Sequence, residues 1–263
     1  MCWTVLLAML FFFSAGKSAG EPPKELRVAA AADLEFAMRD LAAAFEQSGA
    51  EVSVTYGSSG NFFSQLESGA PFDVFFSADA AYPRKLEFDG LTEPGTRCTY
   101  AVGRLAIWMP ADASINLPGQ GWEALLDPSV QKISIANPAH APYGRAAVAA
   151  LRNAGLYDRL RAKLIFGENV SQAAQFVQSG NAQAGIVAMS FAVSPAMKAG
   201  KIWEVPVNGY PPIEQAAVIL KDAQDKSAAR SFLEFVKSAR GTEILLRNGF
   251  ALPGSAAAGK VRP

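Results

Sequence analysis

The alternation of short apolar segments with helical patterns constrains this chain more than any other feature. Between residues 25 and 90, three segments with the composition of buried strands are each followed by a stretch of helical periodicity: 25–31, 51–56 and 73–77. The same order resumes later, with predicted strands at 132–136, 163–166 and 184–188. Repeated β–α units build parallel sheets with helices on their faces. The sequence therefore predicts an α/β protein with mixed, mostly parallel sheets.

A division into two lobes follows from the order of these units. The two series are joined by Tyr100–Met109, which is predicted as one long strand containing a glycine. Later predicted elements are a helix at 189–199, strands at 202–205 and 215–220, and helices at 227–239 and 242–248. Two chain crossings explain this order best. We expect lobe I to hold residues 21–103 and 207–263, lobe II to hold 104–206, and a ligand to bind in the cleft between them.

Composition excludes several classes of function. The 263 residues are half hydrophobic, and 24 Lys and Arg balance 24 Asp and Glu, which argues against a disordered chain and against a basic surface for nucleic acid. Two cysteines and one histidine exclude a zinc ribbon and a disulfide scaffold. The sequence shows no metal-ligand cluster, and catalysis would have almost no imidazole or thiol to use. We expect no metal ion and no cofactor.

The first twenty residues have the character of a targeting segment. Val5–Phe13 is an apolar run too short to span a bilayer, and small residues follow it up to Gly20. Residues 1–20 are predicted to be a signal peptide cleaved after Gly20, although Met1–Trp3 lack a basic residue. We therefore expect an exported, soluble protein whose remaining cysteine, Cys98, is buried.

Small or hydroxyl residues stand at the junction of strand and helix in several places. The junctions are 31–33, 57–60, 142–144 and 169–171, with a fifth candidate at 188–190. A helix N-terminus carries unpaired N–H groups and a partial positive charge, and ligands of α/β sheets bind beyond the carboxyl ends of the strands. Each junction alone is also typical of a plain turn. Together they predict an anion site that needs no Lys or Arg.

An enzyme is the alternative from a different class. A small exported serine hydrolase could use Ser58 or Ser59 with His140, provided that His140 lies beside one of them. The segment Gly57–Asn61 lacks the last glycine of the nucleophile-elbow motif G-x-S-x-G. Asp73 and Asp79, at the ends of an apolar strand, are predicted to be solvated. We expect no enzymatic activity and no catalytic residue.

Five stretches resemble the periplasmic molybdate-binding proteins of ABC importers. The most specific are VTYGSSGNFFSQLESGAPFDVFFSAD at 54–79 and ISIANPAHAPYGRAAVAAL at 133–151; the others are 30–38, 99–108 and 167–188. The resemblance covers about residues 25–253. It implies the two-lobed type II periplasmic-binding-protein fold, in a periplasmic protein that we expect to be a monomer. It also implies capture of molybdate or tungstate by closure of the cleft and delivery to an ABC importer permease in the membrane.

The resemblance also implies the ligand-binding residues, which are Asp33, Ser59, Tyr143, Val170 and Ala188. Ser59 is expected to offer its amide and its hydroxyl, and Tyr143 and Val170 their amides. Ala188 stands where some members have Tyr, which removes a hydroxyl donor that Tyr143 could replace. Other tetrahedral oxyanions, namely sulfate, phosphate and chromate, remain the alternative ligands.

Asp33 departs from the family, whose better-known members have Ser, Thr or Asn at this position. A carboxylate about 4 Å from an anion is repelled by roughly 4 kcal/mol per unit charge at an effective dielectric constant of 20. Asp33 could turn away and cap its helix, it could be protonated, or it could accept a proton from a phosphate-like ligand. The favourable N-cap position supports the first possibility. In that case Asp33→Asn leaves molybdate affinity equal or higher.

Overall fold

The computed structural model describes residues 25–46 and 51–255, so the signal peptide predicted at 1–20 lies outside the described residues. Within them the strands are β1 (Leu26–Ala31), β2 (Val52–Gly57), β3 (Val74–Ser77), β4 (Cys98–Gly103), β5 (Leu105–Met109), β6 (Ile133–Ala136), β7 (Leu164–Gly167), β8 (Ala184–Ala188), β9 (Lys201–Glu204) and β10 (Ile213–Ile219). The α-helices are α1 (Glu35–Glu46), α2 (Ser59–Glu67), α3 (Ala81–Phe88), α4 (Leu117–Gln120), α5 (Pro142–Asn153), α6 (Tyr157–Leu160), α7 (Val170–Gln178), α8 (Met189–Ala192), α9 (Lys226–Lys237) and α10 (Ala239–Arg247).

The strands form two five-stranded sheets. The first has the order β2-β1-β3-β10-β4, in which β1 is parallel to β2 and β3, and β10 is antiparallel to its neighbours. The second has the order β7-β6-β8-β5-β9, in which β6 is parallel to β7 and β8, and β5 is antiparallel to its neighbours. The predicted α/β architecture with two lobes and mixed sheets is confirmed. We call the part built on the first sheet lobe I and the part built on the second lobe II.

The prediction of one long strand at Tyr100–Met109 is wrong. The chain leaves the first sheet at Gly103 and enters the second at Leu105, with Arg104 between the two strands. Both halves are buried and apolar, so their composition hides the change of sheet. A residue with a Cβ at position 103 would collide with the hydroxyl group of Tyr143. The crossing between the sheets therefore needs glycine at Gly103. The strands of lobe I lie before Arg104 and after Glu204; the exact lobe boundaries stay a prediction.

Each lobe has its own apolar core. In lobe I, α9 places Ala229, Phe232 and Leu233 against the sheet, where Phe232 lies edge-on to Phe76 with ring centroids 5.8 Å apart. This helical spacing of three and four residues is what the sequence pattern of α9 specifies. Burial of one such side chain stabilises the fold by about 1.5–3 kcal/mol. In lobe II the core includes all five residues of β5, which are buried.

Other local predictions also need correction. The helix predicted at 189–199 ends at Ala192, because Pro195 disfavours helical backbone at Ser194. Cys98 is half-buried and unpaired, because it begins β4 near the margin of the sheet. Asp73 is buried instead of solvated, and its carboxylate receives hydrogen bonds from the Arg27 guanidinium and from backbone amides.

Membrane crossing requires a long and strongly apolar helix. In residues 25–46 and 51–255, none of the helices has the length and apolar character for it.

Candidate functional site

A small cleft lies between the lobes, where the strand–helix junctions of both meet. Lobe I contributes Ala31, Ala32, Asp33, Gly57, Ser58, Ser59 and Ala78, and lobe II contributes Ala141, Pro142, Tyr143, Asn169 and Val170. The space between them is about 200 Å³, including its opening to solvent. Four of the five residues predicted to bind the ligand line this cleft: Asp33, Ser59, Tyr143 and Val170. Ala188 is not among the residues that line it.

Ser59 is placed as a hydrogen-bond donor. It is the first residue of α2, so its amide has no partner within the helix. Its Oγ accepts a hydrogen bond of 2.9 Å from the amide of Ala78, which fixes the side chain and leaves the hydroxyl hydrogen for a ligand. Ser59 is fully buried. Both of its donors are therefore held in place at the wall of the cleft.

Lobe II supplies two more helix N-termini. Pro142 begins α5 and has no N–H, so the amide of Tyr143 is the first one available from that helix. Asn169 caps α7 by accepting a hydrogen bond of 3.1 Å from the amide of Gln172, which leaves the amide of Val170 without a helical partner. Among the described residues that line the cleft, none is Lys or Arg. Helix termini are therefore the groups in this lining that carry partial positive charge.

Asp33 does not cap its helix, so the favoured prediction for this residue is wrong. It lies inside a short 3-10 turn, Ala32–Leu34, and the cap position belongs to Ala31, which makes no side-chain bond. The carboxylate is fully buried and its Oδ2 accepts hydrogen bonds from the hydroxyl of Tyr143 (3.0 Å) and from Nε2 of Gln215. These two donors, one from each lobe, hold Oδ2 in place.

Burial dominates the electrostatics of Asp33. It raises the pKa of this carboxyl to about 6, although the hydrogen bonds from Gln215, from Tyr143 and from the backbone amide of Asp33 itself act in the opposite direction. Its Oδ1 is buried and has no hydrogen-bond partner among the described residues. Burial and the neighbouring Asp33 raise the pKa values of Tyr143 and Tyr100 well above their usual range, so both hydroxyls stay protonated.

The hydroxyl of Tyr143 is committed to Asp33 and is not directed at a ligand. The sequence predicts that this hydroxyl group could replace the donor missing at Ala188. Ala188 itself ends β8 fully buried and pairs with Leu105. The predicted junction at 188–190 contacts the site through Ser190, whose hydroxyl donates to the backbone oxygen of Asp33 at 2.7 Å.

His140 lies beside Ser58, as the hydrolase alternative requires. Its Nδ1 is 3.0 Å from the Oγ of Ser58, and its Nε2 is 3.7 Å from a carboxylate oxygen of Glu168. The hydroxyl of Ser58, however, donates at 2.8 Å to the backbone oxygen of His140. The proton that a base would have to remove therefore points at a carbonyl group and away from the imidazole.

Polar contacts close the cleft around the site. The amide of Gly60 donates to the backbone oxygen of His140 at 3.0 Å, and a Cβ on Gly60 would lie 2.5 Å from that oxygen. Asp79, predicted to be solvated, is partly exposed and pairs with Arg145 of lobe II at 2.5 Å. Small residues at these junctions thus permit the close approach of the lobes.

Sequence reasoning missed Gln215, the donor that holds Asp33 from the lobe I side. A signal was present, because Gln215 interrupts the apolar strand Ile213–Ile219 and is fully buried. Such a buried amide needs a polar partner. The role of Asn169 as a cap was also missed, although Asn before a helical pattern is a common capping signal.

A metal centre is not found in the described part of the chain, where no three His, Cys, Asp or Glu side chains gather closely enough to hold an ion. The chemistry of the cleft is that of hydrogen-bond donors arranged around a small space, with one buried carboxyl group among them. This arrangement suits a small anion.

Comparisons with known proteins agree with this geometry. The family model described as bacterial extracellular solute-binding protein matches residues 26–251. The chain is 40% identical over 230 residues to the molybdate-binding protein ModA of Azotobacter vinelandii, covering 87% of this chain and 90% of that protein. It is 38% identical to ModA of Rhodobacter capsulatus, covering 86% and 88% respectively.

A solved structure shares the fold. The periplasmic molybdate-binding protein of Azotobacter vinelandii superimposes with a TM-score of 0.81 at 37% identity, covering 87% of this chain and 99% of that one. These relatives are binding proteins. The two lobes, the cleft between them and the match over most of the chain place this protein in the bacterial extracellular solute-binding protein family.

Proposed function

We propose that this protein is an extracytoplasmic receptor for molybdate, and for tungstate as an equivalent ligand, that delivers the anion to an ABC importer permease. It acts in the periplasm as a monomer after removal of residues 1–20. The observation that carries the proposal is the cleft lined by helix N-terminal amides and the Ser59 hydroxyl, without Lys or Arg among its described residues. The printed names of the relatives at 40% and 38% identity support molybdate as the ligand.

In this proposal the anion is held by hydrogen bonds from both lobes. Ser59 gives its amide and its hydroxyl from lobe I, and Tyr143 and Val170 give their amides from lobe II. Asp33 gives its amide from the turn that follows β1. Ala188 is outside the lining of the cleft and receives no direct contact with the ligand. Because the donors belong to different lobes, the anion stabilises the closed arrangement.

Calorimetric titration of the purified protein with molybdate, tungstate, sulfate and phosphate at pH 7.5 tests the proposal. We expect one-to-one binding of molybdate and tungstate and no binding of the other two. Ser59→Ala removes a hydrogen bond to a charged ligand, which lowers affinity by about tenfold or more. Ser64→Ala, an exposed position on the same helix, is the matched control and leaves affinity unchanged.

Sulfate, phosphate or chromate binding in place of molybdate would contradict the ligand assignment while keeping a receptor. Absence of binding to any of these anions would contradict the receptor itself. Chromate is included as a fifth titrant because its charge and tetrahedral shape match those of molybdate.

A serine hydrolase is the second candidate, favoured by the approach of Ser58, His140 and Glu168. The direction of the Ser58 hydroxyl argues against it. An activated ester such as p-nitrophenyl acetate provides the test, with Ser58→Ala and His140→Ala as variants. Turnover that both variants abolish would support the hydrolase. We expect no turnover above that of an unrelated protein.

A further inference from the structure

The cleft contains one polar atom that the proposed function leaves unused. This atom is Oδ1 of Asp33, which is buried and has no partner among the described residues, although its own residue lines the cleft. The other carboxylate oxygen, Oδ2, already accepts from Tyr143 and Gln215. A buried, unpaired and charged oxygen is strongly unfavourable. Oδ1 therefore needs either a proton of its own or a donor on the ligand.

We propose that Asp33 binds the oxyanion as the neutral acid, with its Oδ1 hydroxyl donating to an anion oxygen, so that the site selects fully deprotonated dianions and takes up one proton with each. The inference rests on the proposed function. The proton comes from solvent and ends on Oδ1, and the dianion keeps both of its charges. Asp33 thereby changes from a repelling charge into a further donor.

The rest of the cleft supports the neutral form. Its described lining offers donors from Ser59, Tyr143 and Val170 and no basic side chain that could offset a carboxylate beside a dianion. Protonation of a group with a pKa of about 6 at pH 7.5 lowers affinity only by roughly thirtyfold. The repulsion between the ionised carboxylate and a dianion across the same short distance is far larger.

The neighbouring groups leave Asp33 as the site of the proton. Tyr143 from α5 and Tyr100 from β4 stay protonated, since burial raises their pKa values well above the usual range. On α1, Glu35 accepts from Ser171 and lies 3.7 Å from Arg39. Tyr56 on β2 also has a raised pKa, and α7 and α8 contribute uncharged residues such as Val170 and Ser190.

Across the cleft, His140 contacts Ser58 in the lining and has a carboxylate oxygen of Glu168 3.7 Å from its Nε2. His140 is therefore the residue against which the assignment of the proton to Asp33 is tested. The experiment separates the two by substituting each in turn, with Asp33→Asn as the isostere of the neutral acid and His140→Gln as the matched variant.

Titration calorimetry with molybdate in buffers of different ionisation enthalpy counts the protons directly. At pH 8.0 we expect close to one proton taken up per molybdate by the natural protein. Its dissociation constant should rise about tenfold per pH unit between pH 7 and 8.5. Asp33→Asn should bind without proton uptake, with affinity that does not depend on pH and that exceeds the natural protein's at pH 8.0. His140→Gln should retain the uptake.

The inference would be overturned if the natural protein took up no proton with molybdate and its dissociation constant did not change with pH. It would also be overturned if His140→Gln lost the proton uptake while Asp33→Asn kept it. The proton counts for the natural protein and for His140→Gln can be measured even if Asp33→Asn fails to fold. Binding of phosphate without proton uptake, abolished in Asp33→Asn, would show that Asp33 accepts a ligand proton and would also overturn it. Failure of the natural protein to bind molybdate or tungstate at any pH from 6 to 8.5 would instead contradict the proposed function.

Discussion

The carboxyl group of Asp33 makes the unliganded protein less stable at neutral pH than it would be with a neutral side chain. The pKa of this group is about 6 in the folded protein, against an ordinary value of 3.8. The folded state therefore binds the proton more tightly, and stability falls as pH rises from about 4 to about 6. Two pKa units correspond to about 3 kcal/mol. Asp73 acts in the opposite direction: its pKa is lowered, because hydrogen bonds from Arg27 and from backbone amides outweigh its burial.

Asp33→Asn should therefore stabilise the unliganded protein by about 3 kcal/mol at pH 7.5 and by only about 1 kcal/mol at pH 4.5, where the folded protein already holds the carboxyl protonated. Urea unfolding in anion-free buffer at the two pH values measures the difference. Asp112→Asn, which changes an exposed loop carboxylate, serves as the control and is expected to change nothing. A loss of stability in Asp33→Asn at pH 7.5 would show that the carboxylate is held as an ion in the folded protein.

The sequence could identify Asp33 but not its role. Its position before a helical pattern is that of a good cap, and local sequence contains nothing about Tyr143 or Gln215, which approach from residues more than a hundred positions away. Ser59, Tyr143 and Val170 line the cleft as the sequence predicts, because a strand–helix junction is a local feature; their contacts with a ligand stay a prediction. The burial that raises the pKa of Asp33 depends on closure of two lobes, which no local pattern contains.

At the scale of elements, helix α7 depends on its cap for the position of a ligand donor. Asn169 accepts from the amide of Gln172 and so leaves the first amide of the helix facing the cleft. Asn169→Ala removes this cap and should lower stability by about 1 kcal/mol. Because the first turn loosens, molybdate affinity should fall severalfold.

Asn169→Asp separates the effect of the cap from the effect of charge at this position. Asp caps helices as well as Asn does, so stability should stay close to that of the natural protein. Its charge, however, stands in the lining of the cleft, and anion affinity should fall by more than about tenfold. Thermal unfolding and calorimetric titration of both variants provide the measurements. Equal affinities for Asn169→Asp and the natural protein would mean that the anion does not lie near α7.

Most elements were predictable because periodicity marks them. The parallel pairing of β1 with β2 and β3 follows from the three early β–α units, and it is confirmed. The two errors in element boundaries occur where apolar residues continue past the end of an element. Tyr100–Met109 is uniformly apolar on both sides of the crossing at Arg104, and the pattern after Met189 continues beyond the helix that Pro195 ends. Where burial is complete, hydrophobicity no longer tells which sheet a strand joins.

At the scale of the molecule, closure depends on how closely the lobes can approach. Gly60 lies where a methyl group would stand 2.5 Å from the backbone oxygen of His140 and 2.9 Å from the hydroxyl of Tyr82. Gly60→Ala should therefore hold the lobes apart and weaken molybdate binding by more than about tenfold, since a backbone atom cannot move aside cheaply. Helix α2 itself should not be destabilised, because Ala favours helix over Gly by about 1 kcal/mol.

Small-angle X-ray scattering with and without molybdate measures how far the two lobes close on binding. The radius of gyration of the natural protein should decrease on binding, and that decrease should be smaller in Gly60→Ala. Gln65→Ala, an exposed position on α2, is the control and should behave like the natural protein. An undiminished decrease in Gly60→Ala would mean that the lobes meet in a different arrangement when the anion is bound.

The place of β10 in the first sheet has a consequence for the order in which the protein can be assembled during synthesis. This strand lies between β3 and β4, yet it leaves the ribosome more than a hundred residues after both. The strands of the second sheet, from Leu105 to Glu204, emerge as one uninterrupted series. A nascent chain can therefore complete its second lobe while the first still has an open gap. The first lobe becomes whole only when the last quarter of the chain arrives.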